Sequence, residues 1–138
     1  MKIKTYNYLP LEAKFIRQTV FVDEQGFETE FDELDKKATH IVIFHGVKAV
    51  ATSRFYYDKN KQTFIAGRIA VVKSCRNLHL GAQLLAATEQ AVREQGGRQL
   101  ALAAQVRVRD FYTKQGYITF GTVFDDEGCP HIWMQKKL

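Results

Sequence analysis

This chain has no glycine-rich phosphate loop, no paired-cysteine motif and no long apolar run. Its nine glycines are scattered, and none falls in a P-loop or a dinucleotide fingerprint. No apolar stretch comes near the ~20 residues that a membrane span needs, so no membrane partner is expected. Met1-Lys2-Ile3-Lys4-Thr5 carries charge with no apolar core behind it, and no signal peptide is expected. The two cysteines, Cys75 and Cys129, lack CxxC spacing and histidines at zinc spacing, so no metal site is expected. A disulfide between them stays open, but reduced thiols in a cytoplasmic protein are the simpler expectation. Repeats, linkers and low-complexity tracts are absent, which makes residues 1–138 one expected domain.

Acidic residues are also scarce, 15 against 20 Lys and Arg, for a net charge of +5. They are unevenly placed. Asp23, Glu24, Glu28, Glu30, Asp32, Glu33 and Asp35 lie in one short segment, and the rest of the chain is correspondingly basic. Such a division suits a protein that holds a polyphosphate on one side and a cation on the other. The arginines are scattered and no aromatic–basic interleaving forms a stacking platform, so nucleic acid is not an expected partner.

What is present centres on Ile65 to Gln95. Ile69, Ala70, Val71 and Val72 form an apolar run, and Lys73-Ser74-Cys75 ends it. Arg76-Asn77-Leu78-His79-Leu80-Gly81-Ala82 follows and opens directly into a helical period. Leu80, Leu84, Leu85, Thr88, Ala91 and Val92 share one face of that helix. A loop feeding a helix N-terminus aims backbone N–H groups and the positive end of the helix dipole at one spot, an anion site suited to phosphate. Gly81, without a Cβ, is expected to let backbone or ligand come close.

Around this unit the chain reads as a strand at Ile3–Tyr6, a helix at Pro10–Val22 and an acidic loop with a short helix near Glu33–Lys37. Leu11, Phe15, Ile16 and Val20 are the expected inner face of the first helix. Strands follow at Thr39–Phe44, Val47–Tyr57 and Thr63–Val72, then the helix that Gly96-Gly97 ends. A buried strand at Leu100–Ala104, a helix at Val106–Lys114 and strands at Tyr117–Thr122 and His131–Lys136 complete the order. Short turns make the middle strands antiparallel, while Ile65–Ala104 is a βαβ unit with a parallel pair. The fold class is α/β (α+β): a mixed, mostly antiparallel sheet of six or seven strands with helices on both faces.

Arg76-x-x-x-x-Gly81-Ala82 after an apolar strand resembles the pyrophosphate loop of the GNAT superfamily of N-acetyltransferases, with His79 where a glycine is usual. Gln105, Phe111-Tyr112-x-x-x-Gly116-Tyr117 and Asp126-Glu127-Gly128-Cys129-Pro130-His131 resemble further segments of that family's ElaA-like branch. Arg17-x-x-Val20-Phe21-Val22-x-Glu24-Gln25, Asp32, Asp35 and His40 do so in the first half, and Ala103 stands where the branch usually has histidine. The element order matches the GNAT fold independently.

The resemblance implies acetyl-CoA as cofactor and a primary amine of a small molecule or peptide as substrate. It implies backbone contacts to the cofactor arm from Ile69, Ala70 and Val71. Arg76, Asn77, Leu78, His79, Leu80, Gly81 and Ala82 would hold the pyrophosphate, with Gln105 and Tyr112 along the cofactor. Tyr112 is the implied general acid for the departing thiolate. A phenol stays protonated at neutral pH, with a reference pKa of about 10. An alkylammonium must lose a proton before it can attack, and Glu24, Glu30, Asp32, Asp35 and His131 are all open as the base. An imidazole titrates near neutrality. The same four carboxylates are candidates to attract a cationic substrate. His79 and Ala103 keep an alternative open: a catalytically weak acyl-CoA-binding or sensor module. A homodimer is equally open.

Overall fold

The computed structural model describes residues 1–138. Its strands are β1 Lys2–Tyr6, β2 Thr39–His45, β3 Lys48–Asp58, β4 Thr63–Val71, β5 Gln99–Gln105, β6 Ile118–Asp126 and β7 Cys129–Lys137. Its α-helices are α1 Leu11–Arg17, α2 Leu80–Glu94 and α3 Arg109–Lys114. One seven-stranded sheet runs in the order β1-β2-β3-β4-β5-β7-β6. Only β4 and β5 pair in parallel, so the mixed, mostly antiparallel sheet is as expected.

Alternation in β2 sorts residues between two cores. Ile41 and Ile43 pack with Leu80, Leu84, Leu85 and Val92 of α2, together with Leu100, Leu102 and Met134. Val42 and Phe44 face the opposite way, against Ala13 of α1. Ala70 packs on that second side with Ile16, Val20 and Phe21. α1 thus lies over β2, β3 and β4 on one face, and α2 over the same strands on the other.

The first helix differs from its expected form. Leu11 and Phe15 are 79% and 70% exposed, while Ala13, Ile16, Arg17 and Val20 turn inward. Those four residues follow the helical steps of three and four, so the inner stripe is real but includes an arginine. Buried carboxylates draw Arg17 in. After Arg17 the helix widens into a π-helical turn over Gln18–Glu24. The short helix expected near Glu33–Lys37 is present as a 3₁₀ helix over Glu33–Lys36, and Val106–Val108 is 3₁₀ ahead of α3. β6 reaches Asp126, leaving a tighter hairpin tip than expected.

One feature of the sheet positions everything else. β4 and β5 pair only at Phe64–Leu100, Ile65–Ala101 and Ala66–Leu102. From Gly67 onward the two strands part. A bulge marks the same place: the register of β3 against β4 shifts between Thr52 and Arg54, and Arg68 has φ +51°. A bulge of this kind bends its strand and raises the local twist. Beyond it, β4 keeps β3 as a partner on one side and has none on the other.

Candidate active site

The parted strands wall a cavity of about 580 Å³. Ile65 to Val71 of β4 line one side, and Leu102, Ala103 and Gln105 of β5 line the other. Phe21, Gln25, Phe27 and Glu30 close it from the first half of the chain, and His131 and Trp133 of β7 floor it. The free side of β4 from Gly67 to Val71 offers backbone groups to an extended, amide-bearing ligand, as a sheet edge does for an added strand. Ile69, Ala70 and Val71, expected on the cofactor side, do border this opening.

At the far end Arg76 lines the cavity. Asn77, Leu78 and His79 are exposed just beyond it, Leu80 is buried as the first residue of α2, and Ala82 is half-buried. Residues 73–78 form a 3₁₀ turn rather than an open loop. His79 caps α2 at φ 57° and ψ 26°, the left-handed region where glycine is favoured and histidine is tolerated. No side chain caps this helix. Its first-turn N–H groups have no intrahelical acceptor, so the 15-residue helix presents an uncapped positive end beside Arg76. Those donors and that guanidinium fit a diphosphate.

Gly81 has a different role from the expected one. A Cβ there would sit 3.1 Å from the Phe111 ring, so its missing side chain accommodates α3 rather than a ligand.

The acidic segment also departs from expectation. Arg17 donates to Glu30 at 2.8 Å and to Asp35 at 2.7 Å. Arg54 donates to Asp32 at 2.6 Å and to Asp35 at 2.8 Å. Arg68 reaches Glu30 at 3.0 Å and Asp32 at 3.3 Å. Three carboxylates are therefore matched by three guanidiniums. Burial opposes ionisation of Asp35, yet bonds from Arg17, the Asp32 backbone N–H and Arg54 hold it well below the carboxylate range. Burial opposes ionisation of Asp32 too, but the Arg54 bond and the charges of Arg54 and Arg68 together lower it. Burial raises Glu30 against the pull of Arg68 and Arg17. Asp35 does not line the cavity, Asp32 lines it with both oxygens bonded to arginine, and Glu30 lines it with Oε2 bonded and Oε1 without a partner in the chain. As bases or as seats for an amine, Asp32 and Asp35 are corrected: they are the counter-ions of an internal network, which Glu30 joins through one oxygen. Glu24, the fourth, is bound bidentately by Arg76.

Among the titratable side chains that line the cavity without an arginine partner are Tyr112 and His131. Tyr112 lines the cavity from α3, 7% exposed, and its hydroxyl has no bonding partner within the chain. Burial pushes this phenol up to about 12. His131 stacks on Phe124 with centroids 5.8 Å apart, and its Nδ1–H donates to the Cys129 carbonyl at 2.8 Å. That bond fixes the neutral tautomer, so Nε2 carries the lone pair. Gln105 accepts from Arg107 at 3.0 Å and donates to Gln25 at 2.9 Å, joining β5 to the first half of the chain at the cavity rim.

Sequence reading missed Trp133, Arg54 and Arg68. Trp133 stacks with Phe120 and with Phe124, and the Lys61 ammonium lies 4.7 Å from its ring centroid. A signal existed for Arg54, since an arginine between Ser53 and Phe55 in a central strand must meet buried acids.

The chain is 36% identical over 132 residues to the uncharacterized N-acetyltransferase YjcF of Bacillus subtilis, covering 91% of this chain and 90% of that one. It is 28% identical over 128 residues to the protein ElaA of Escherichia coli, covering 89% and 84% of the two. The crystal structure of Escherichia coli ElaA superposes with a TM-score of 0.86 over 98% of each chain, at 24% identity, which speaks to the fold. Residues 9–138 match the acetyltransferase (GNAT) domain, and the chain belongs to that acyltransferase family, in its ElaA-like branch.

Proposed function

We propose that this protein transfers an acetyl group from acetyl-CoA to a primary amine of a small molecule or peptide. The carrying observation is the pair Tyr112 and His131. They line one cavity beside the parted strands, while the neighbouring carboxylates Glu24, Glu30, Asp32 and Asp35 are held by arginines.

Acetyl-CoA, when bound, supplies an activated thioester. The unpaired side of β4 holds the cofactor arm, and Arg76 with the α2 N-terminus holds its phosphates. His131 Nε2 takes a proton from the incoming ammonium, directly or through water, leaving the amine lone pair to attack the carbonyl carbon. Tyr112 then gives its proton to the sulfur as the C–S bond breaks. Its raised pKa keeps that proton in place until a strong base, the thiolate, appears. Trp133 lines the same cavity and gives the acceptor an apolar wall. These roles need no nucleic acid or membrane and suit a cytoplasmic enzyme.

The test is free-thiol release from acetyl-CoA over a panel of alkyl, aryl and peptidyl amines. Saturable release with at least one amine is the expected result. CoA binding with no release across the panel would overturn catalysis and favour the sensor reading.

A further inference from the structure

Arg76 has its terminal fork occupied within the chain. Its Nε donates to the Val71 carbonyl at 2.9 Å. Nη1 and Nη2 donate to the two Glu24 oxygens at 2.6 and 2.9 Å, a bidentate fork. Glu24 comes from the last residue of the π-helical turn and reaches across to the start of the α2 loop. It therefore lies against the cation that lines the phosphate end of the cavity.

We propose that Glu24 is a negative determinant of cofactor affinity: its carboxylate fills the guanidinium fork that a CoA phosphate would take, and binding exchanges one anion for the other. This rests on the CoA reading above and goes beyond it, because it assigns Glu24 neither to catalysis nor to the amine. Three observations support the exchange. The Nη1–Nη2 face is occupied, so a phosphate gains a bidentate grip there only by displacing Glu24. Both side chains are about a third exposed, 38% and 34%, so the pair is solvent-screened and weak enough to break. And the Arg76 bond holds the Glu24 carboxyl below its ordinary range, so it stays ionised and keeps competing at neutral pH. A displaced Glu24 would also sit near the diphosphate as a like charge, which adds to the cost.

The consequence is an acid whose removal tightens binding. Calorimetric titration with CoA, and with pantetheine as a phosphate-free probe, would compare wild type, Glu24→Gln, Arg76→Ala and the double variant. Glu24→Gln should lower the CoA Kd by roughly fivefold, the scale of one screened ion pair plus one near repulsion. Its pantetheine affinity should not change. Arg76→Ala should weaken CoA, and in that background Glu24→Gln should gain less than about twofold. Unchanged or weaker CoA binding by a Glu24→Gln protein with wild-type melting would overturn the proposal. So would an equal gain for pantetheine, which would place the effect away from the phosphates. Failure of the wild type to bind CoA would defeat the cofactor reading and this inference with it.

Discussion

Replacing Tyr112 by phenylalanine removes one oxygen and little else. The hydroxyl has no partner in the chain, so stability should change by less than about 1 kcal/mol, the scale of a single hydrogen bond. CoA affinity should hold, while kcat falls roughly 10²-fold or more in stopped thiol-release assays. A normal kcat would remove Tyr112 as the proton donor. His131→Gln separates the other role: it should lower kcat/KM for the amine, with CoA affinity and the melting temperature little moved. Asp35 poses the opposite case. With Arg17 and Arg54 bonded to one buried carboxylate, Asp35→Asn should cost about 3–5 kcal/mol by leaving guanidinium charge unmatched. Its folded pKa lies below the unfolded one. Its contribution is therefore complete above about pH 4 and is lost as pH falls toward the folded value. Melting curves from pH 7 to 3 should drop more steeply for wild type than for Asp35→Asn. Clustered acids were legible in the sequence, but their purpose was not. Arg17, Arg54 and Arg68 stand far along the chain from one another, and only the sheet brings them to the same carboxylates.

Local signals served better at the scale of elements, because a cap or turn depends on its neighbours. The end of α2 illustrates this. Gly96 N–H bonds to the Arg93 carbonyl and Gly97 N–H to the Val92 carbonyl, both at 2.9 Å, the Schellman pattern. Gly96 has φ +87°, and a Cβ on Gly97 would stand 2.4 Å from Val92 and 2.8 Å from Phe64. Gly97→Ala should thus cost about 1–3 kcal/mol through overpacking, read by urea unfolding with unchanged slope. A cost near zero would mean that Phe64 moves aside freely. The βαβ unit, the strand order around it and the inner face of α2 were readable for the same local reason. The π-helical widening after Arg17 was not, since nothing between Gln18 and Glu24 distinguishes it from an α-helical run. Nor was the job of Gly81, which depends on a phenylalanine in another helix.

For the molecule as a whole, three residue pairs between β4 and β5 are the only ladder joining the first four strands to the last three. α2 and its core span the same join from below. Where a continuous sheet would transmit load evenly, this one is hinged like a half-open book, with its spine at Phe64–Ala66. A ligand lying along the open side of β4 would act as a clasp. CoA at 100 times its Kd should raise stability by about 2.7 kcal/mol through mass action alone. Hydrogen exchange should reveal where that gain is felt. Amides of Gly67 to Val71 and Ala103 to Gln105 should slow together on CoA addition, and those of β1 should not. If only the Arg76 loop slowed, the ligand would be gripping the margin of the page and leaving the book open.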